Sequence, residues 1–336
     1  MTTVALIFRR PLPGGYFSIE RSFYAVQKSL TDIPGILVKP VMANRVSKRL
    51  LPRLMILWQM ACLKAQVYHI TGDIHFAALA LPGKRTVLTI HDCGFMRHPN
   101  RLARWILGIF WLKWPVRHCR VITAVSESTK QEIVRITACP EEKIFVVPTV
   151  IPADFQPAPK VFNAGKPRIL HIGSSPNKNL PRHIEALNGI PCTLHIIGRL
   201  GDVERQWLAA NNIAYMHDYD LSETEIAKAF IACDLLLFAS TFEGFGMPVL
   251  EAQSVGRPVV TSNCSSMPEV AGSGACLVDP TDIESIRKGV LRIIHDEKYR
   301  TRLIEAGFMN VKRFQSEEVA RQYAALYTHC FSSKQD

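Results

Sequence analysis

The 336-residue sequence predicts an α/β protein built from two doubly wound, parallel-sheet domains. Three observations lead there. Short apolar runs alternate with longer amphipathic stretches, the pattern of βα units. The stretch "PTVIPADFQPAPKVFNAGKP", Pro148 to Pro167, holds five prolines and little periodicity, and the alternation restarts after it. The length also exceeds what one hydrophobic core usually organises. The expected division is residues 1–160, residues 161–314, and a closing helical segment over 315–336.

In chain order, "VALIF", "QVYHI", "RTVLTIH", "CRVITAV" and "KIFVVP" are the strand candidates of the first half. The helical stretches between them are Ser18 to Leu30, Val46 to Ala65 and Leu102 to Trp114, and Pro52 is expected to end or kink the second. Ser128 and Gln131 have the spacing of a capping box before the next helix. In the second half, "RILHIG", "CTLHIIG", "IAYMH", "DLLLFAS", "RPVVTS" and "ACLVDP" are strands separated by helices. Ser222 and Glu225 form a second capping box, and everything after Pro280 is helical.

Charge separates the halves. Residues 1–165 carry 22 Lys/Arg against 9 Asp/Glu, and the remainder carries 18 against 20. An anionic partner for the first half alone follows: a membrane face, a phosphate-bearing lipid, or nucleic acid. No aromatic stacking motif or helix-turn-helix pattern supports nucleic acid. No apolar run is long enough to span a bilayer. The start lacks a signal peptide's basic region and cleavage site. Nine cysteines without a C-x-x-C spacing read as reduced, mostly buried thiols of a cytoplasmic protein, and metal-ligand spacing is absent. The stretch "RLARWILGIFWLKWPVRHCR" has two readings: a basic, aromatic surface lying on a membrane, or apolar residues at helical spacing that serve the core with arginines on the wet face.

The chemistry concentrates in "FEGFGMPVLEA", Phe242 to Ala252. "LLLF" before it has the continuous apolar character of a buried parallel strand, and Pro248 suits the first turn of a helix that Gly256 and Pro258 end. Glu243 therefore stands in a strand-to-helix loop and Glu251 in the helix it opens. Gly244 and Gly246 let backbone N–H groups approach an anion, and the helix N-terminus favours negative charge. Two carboxylates eight positions apart also raise the possibility of a hydrolase. Glycosidase acids, however, face each other across the bond they cleave, and here a phosphate-binding turn lies between them.

The stretch resembles the E-x7-E motif of the family 4 glycosyltransferases, retaining enzymes of the GT-B fold. "LTIHDCGFMRHP", "RVITAVSESTKQEI", "ILHIGSSPNKNLPRHIEAL", the long run from Phe242 through "SNCSSMPEVAGSGACLVDPTD", and "FQSEEVARQYAALY" resemble that family in the same order. The resemblance implies two Rossmann-like domains with a cleft between them and a C-terminal helix that crosses back to the first. It implies transfer of a sugar from a nucleotide-diphospho-sugar of UDP or GDP type, without a metal or other cofactor, to a glycan or lipid-linked acceptor. That places the protein in cell-envelope synthesis, cytoplasmic and peripheral on the inner membrane face.

By the same resemblance Glu243 contacts donor-sugar hydroxyls and Glu251 the ribose, while Gly244, Phe245, Gly246 and Met247 supply amides to sugar and diphosphate. Lys178 matches the diphosphate-binding lysine, His91 the histidine near the donor sugar, and Gly14 and Gly15 the glycine-rich loop by the donor phosphates. The family's arginine shortly before that lysine is replaced by Ser174, so diphosphate charge rests more heavily on Lys178, with Arg199 a candidate to compensate. Tyr219 falls near the nucleotide base. It is the centre of Asp218-Tyr219-Asp220, a D-x-D that the following capping box assigns to a loop and not to a metal site. The alternative in a different class is a protein that binds the same sugar nucleotide without transferring it, an epimerase-like protein or pseudoenzyme.

Overall fold

In β1 (Thr2–Phe8) the residues Val4 to Phe8 are all buried, as expected of a strand covered on both faces. Ala5 and Ile7 enter one apolar cluster while Val4, Leu6 and Phe8 enter another, so the period-two alternation of side chains divides the core into two layers. The computed structural model describes residues 1–10, 18–97 and 99–331. It forms two units, Met1–Val150 with Phe314–Asp336, and Ile151–Arg313.

The first unit adds β2 (Ile36–Met42), β3 (Val67–Ile70), β4 (Thr86–Ile90), β5 (Val121–Ala124) and β6 (Ile144–Val146) in the order β2-β1-β3-β4-β5-β6, every pair parallel. Its helices are α1 (Ser18–Thr31), α2 (Leu50–Ala61), α3 (Arg101–Leu107), α4 (Trp114–His118) and α5 (Glu127–Thr137), with a π-helical stretch over Gly108–Lys113 joining α3 to α4. Pro52 does not end α2. It sits in the first turn, where a missing N–H is harmless. The cap of α5 is Ser126, whose hydroxyl accepts from the Thr129 N–H at 3.1 Å, and not Ser128. β2 was not expected, because Lys39 and Pro40 interrupt its apolar run; it pairs only with β1, and an edge strand tolerates proline.

The second unit holds β7 (Arg168–Ile172), β8 (Thr193–Ile197), β9 (Tyr215–Asp218), β10 (Leu235–Phe238), β11 (Val259–Ser262) and β12 (Cys276–Val278), all parallel, in the order β12-β11-β10-β7-β8-β9. Its helices are α6 (Leu180–Leu187), α7 (Asp202–Ala210), α8 (Glu223–Ala232), α9 (Met247–Ser254), α10 (Met267–Ala271), α11 (Ile283–His295) and α12 (Glu297–Asn310). The Ser222–Glu225 capping box forms as expected at α8. Residues 151–160, expected at the end of the first domain, belong to the second unit. Phe155 meets Phe230 edge-on at 5.3 Å, Lys160 pairs with Asp234, and Arg257 donates to the Ala158 carbonyl at 2.8 Å.

The last helix, α13 (Ser316–Phe331), returns to the first unit and packs against α1. Tyr327 lies 2.6 Å from His69 Nδ1, and His69 Nε2 lies 2.7 Å from Thr89 Oγ1. Burial pushes the His69 pKa down to about 3, so the ring is neutral and each nitrogen has one hydroxyl partner. Six of the nine cysteines are buried, and all nine are free thiols.

Candidate active site

In the second sheet the strand order reverses between β7 and β10, which are neighbours although two strands separate them in sequence. Open α/β sheets bind ligands outside the carboxyl ends of strands at such a point. Two loops meet there. After β7, Gly173 takes φ +93°, and a Cβ at that position would stand 2.8 Å from the Lys178 side chain. Only glycine lets the lysine lie back across the loop. A short 3-10 turn, Pro176–Lys178, leads into Asn179, a buried asparagine at φ +64° that opens α6. Its amide donates to the carbonyls of Ala239 at 3.0 Å and Pro280 at 2.7 Å, fixing where the helix begins.

The loop after β10 is bound to the first one directly. Thr241 N–H donates to the Asn177 carbonyl at 2.8 Å, and the Asn177 amide returns to the Phe242 carbonyl at 2.9 Å. Lys178 Nζ thereby comes to 2.6 Å from Glu243 Oε1 and 4.7 Å from the Phe238 ring centroid, with both charged side chains largely but not fully buried. The Glu243 backbone is clamped from the other side. The Ser265 hydroxyl donates to its carbonyl at 2.6 Å, and the Glu243 N–H donates back to Ser265 Oγ at 3.2 Å. Ser266 Oγ is within 2.7 Å of the Phe245 carbonyl. Gly246 caps α9 at φ +105°, and a Cβ there would fall 2.2 Å from the Met267 methyl. Glu251, half-buried, lies on α9 one turn beyond Met247.

Beneath Gly173 two buried imidazoles meet edge-on, their ring centres 5.0 Å apart. His171 Nε2 is 2.7 Å from the Gly173 carbonyl, and His171 Nδ1 is 3.0 Å from His183 Nδ1. Burial pushes His171 down to about 4 and holds His183 well below the usual histidine range. The pair thus shares one N–H between two neutral rings and supports the loop carrying Lys178.

Arg199 stands at the end of β8, paired with Asp220 and 5.6 Å from the Tyr219 ring, which in turn stacks on His217 at 5.6 Å. Arg199 is thus paired with a carboxylate at the surface, one strand over from the loop that carries Ser174. Gly198 brings this cluster beside the first loop, since a Cβ there would lie 3.1 Å from Ser174 N. Asp218 accepts from His195 at 2.8 Å, so both carboxylates of the D-x-D have partners.

His91 belongs to the first unit, at the end of β4. Its Nε2 is 2.8 Å from the Thr71 carbonyl; a carbonyl only accepts, so the neutral ring carries its proton there and offers Nδ1 as an acceptor. Burial lowers its pKa and keeps it neutral. The ring occupies the space beside Gly72, where φ is +149° and a Cβ would stand 2.7 Å from Cδ2. Gly72→Ala is expected to displace His91 and destabilise the protein by about 1–3 kcal/mol, seen as a melting temperature lower by several degrees; an unchanged melt would mean the ring moves aside freely. A cavity of about 470 Å³ opens in this unit against His91, with Arg9, Arg10, Lys48, Arg53, Asp73 and Trp111 in its wall. Gly14 and Gly15 lie outside the described residues.

The structure thus joins Ser174, Lys178, Glu243 to Met247 and Glu251 on two adjoining loops and one helix, with Arg199 and Tyr219 at the next two strand ends. Sequence reasoning missed the residues that hold them: Asn177, Asn179, Ser265, Ser266 and the glycines 72, 173 and 198. Their role lies in contacts between loops far apart in sequence. Of these only Gly173, in a Gly-Ser pair, and Ser265-Ser266 stand out in the sequence.

Comparison with known proteins agrees with this architecture. A family model described as "Glycosyl transferases group 1" matches residues 153–309, and one described as "Glycosyltransferase Family 4" matches residues 18–155. The chain is 27% identical over 300 residues to O-antigen chain mannosyltransferase B of Escherichia coli, covering 80% of this chain and 76% of that protein. It is 28% identical over 291 residues to an MMP alpha-(1->4)-mannosyltransferase of Mycolicibacterium hassiacum, covering 79% and 64%. Among solved structures, sucrose-phosphate synthase from Thermosynechococcus elongatus superposes with a TM-score of 0.76 at 15% identity, over 99% of this chain and 100% of that one. Anabaena Alr3699/HepE in complex with UDP and glucose follows at 0.74 and 14%, over 98% and 100%; at such identity these two speak for the fold alone. With two family models accounting for residues 18–309 between them and each unit built on a parallel six-stranded sheet, the chain belongs to the family 4 glycosyltransferases of the GT-B fold.

Proposed function

We infer that the protein is a retaining, metal-independent hexosyltransferase that moves a sugar, mannose in the first instance, from a nucleoside-diphospho-sugar to a lipid-linked or polysaccharide acceptor on the cytoplasmic face of the cell envelope. The observation that carries this reading is the Lys178–Glu243 pair at the carboxyl ends of β7 and β10. A cation for the diphosphate and a carboxylate for sugar hydroxyls stand side by side, with the glycine turn and the start of α9 next to them. Glu251 is the ribose ligand and the Arg199–Tyr219 cluster faces the base. Retention is what the resemblance to the family implies. Metal independence is supported by the engagement of Asp218 and Asp220 with His195 and Arg199. Mannose is favoured by the two relatives that match most of the chain, both named mannosyltransferases. The same relatives favour transfer over sugar-nucleotide binding without chemistry.

A thermal-shift screen of UDP-, GDP- and ADP-sugars tests the reading. The cognate donor at about a hundred times its dissociation constant should stabilise the chain by roughly 2.7 kcal/mol. Glu251→Ala should abolish that shift and Glu243→Gln should retain it while transfer is impaired. Equal loss of nucleotide affinity in both variants would remove the division of roles, and no shift with any sugar nucleotide would remove the reading.

A further inference from the structure

Helix α2 turns apolar side chains in both directions. Ile56 and Met60 enter the core of the first unit, while Leu50, Leu51, Leu54, Met55 and Trp58 face outward, Trp58 being 73% exposed. Positions i, i+1, i+4, i+5 and i+8 form one stripe on a helix, and here the stripe that should meet water has no polar residue. A helix apolar all round belongs in a core or a membrane. The second helical stretch repeats the anomaly. Leu112, Pro115 and Val116 are buried, whereas Leu102, Trp105, Ile106, Phe110 and Trp114 are exposed, Trp105 by 62%. The structure therefore departs from the reading in which these residues serve the core. The two surfaces adjoin: the Arg53 guanidinium of α2 lies 4.5 Å from the centre of the Trp111 ring. Exposed apolar patches of this kind mark interaction sites.

The charges around the patch identify what covers it. No Asp or Glu occurs between Asp32 and Asp73, or between Asp92 and Glu127, the two intervals that contain these helices. Lys48, Arg49, Arg101, Lys113 and Arg117 are exposed at their ends and flanks. Two copies of such a surface would set cation against cation in a symmetric contact. Tryptophan, aliphatic and basic residues with no acid form instead the composition that settles at the boundary of a negatively charged bilayer.

We propose that α2 and the α3–α4 stretch dock the protein on anionic bilayers, with their apolar stripes in the headgroup boundary and the flanking lysines and arginines against lipid phosphates. Arg53 and Trp111 also wall the cavity beside His91, so docking sets the mouth of that cavity at the lipid surface, where a lipid-linked acceptor presents its head. The inference deepens the lipid-linked reading of the acceptor and rests on it for its purpose.

Co-sedimentation of the full chain with vesicles tests it, comparing phosphatidylglycerol mixed into phosphatidylcholine with phosphatidylcholine alone, at low and high salt. Binding should require phosphatidylglycerol and weaken with salt. Trp58→Ser and Trp105→Ser, both at exposed positions, should each reduce partitioning about tenfold, and Lys113→Gln with Arg117→Gln about tenfold or more together. Brominated lipid should quench tryptophan fluorescence in the unaltered protein. Indifference to phosphatidylglycerol, or full binding by both tryptophan variants, overturns the proposal. So does a dimer that Trp58→Ser dissociates in a protein that ignores vesicles. The sugar-nucleotide thermal shift, measured on the same variants, should not change; a chain that keeps that shift yet ignores vesicles refutes docking and leaves the donor assignment standing.

Discussion

Lys178→Ala is expected to lower turnover about a hundredfold or more, with a smaller loss of donor affinity. As the nucleoside diphosphate departs, negative charge grows on the oxygen it takes from the sugar. In the loop after β7, where the family has an arginine, this chain has Ser174. Arg199 is bound to Asp220 at the next strand end, so the ammonium of Lys178 is the cation built into the turn. Its removal does more than delete a positive charge. Glu243, 2.6 Å away in the intact protein, would keep its carboxylate without the counter-charge, and an unpaired acid in a partly buried turn repels the incoming diphosphate. Adding Glu243→Gln to Lys178→Ala should therefore recover donor affinity while turnover stays low, a non-additivity expected of two residues in contact. Steady-state rates and donor titrations on both singles and the double would measure it. Near-normal turnover in Lys178→Ala would assign the charge stabilisation elsewhere.

Acid is expected to unfold both units well before the carboxylates titrate. Burial pushes His69 down to about 3 and His75 and His171 to about 4, and holds His183 lower than usual. Each folded value lies below the unfolded value near 6.5. The unfolded chain therefore takes up more protons as pH falls, and stability that is complete above about 6.5 is lost progressively toward 4. At pH 5 each of the three groups with a stated value removes roughly 2 kcal/mol, about 6 kcal/mol together, comparable with the whole stability of a typical domain. His69 and His75 lie in the first unit, His171 and His183 in the second, so neither should survive as an acid-stable remnant. Urea midpoints near neutrality and near pH 5 should differ by much of their value; equal midpoints would show that the imidazoles are solvated.

The periodic apolar runs made the two sheets legible, since parallel strands buried on both faces write themselves as unbroken hydrophobic segments. β2 escaped because an edge strand can carry Lys39 and Pro40 without losing its one ladder. The site was legible where a residue's chemistry announces itself, as with Glu243, Lys178 and the glycine turn. It was illegible where a residue acts by holding another. Nothing local marks Asn179 as the amide that ties β10 to Pro280, or Gly72 as the space His91 needs. The outward stripe of the α3–α4 stretch was ambiguous for a different reason. Apolar spacing reports that a face avoids water, and it cannot say whether protein or lipid replaces the water.

Because α13 completes the first unit, that unit's chain is interrupted by the whole of residues 151–313. Proteins emerge from the ribosome in one direction and usually fold their leading domain first. Here the leading six strands must wait. The pocket between β1, β3 and α1 that receives Tyr323 and Tyr327 stays open until synthesis has passed Phe331, with His69 lacking its tyrosine partner meanwhile. The inserted unit has every strand and helix of its own sheet by residue 313 and can close earlier. The last element of the first unit's core is therefore synthesised after every strand and helix of the second unit, and the half with the exposed apolar helices is also the half whose core is completed last.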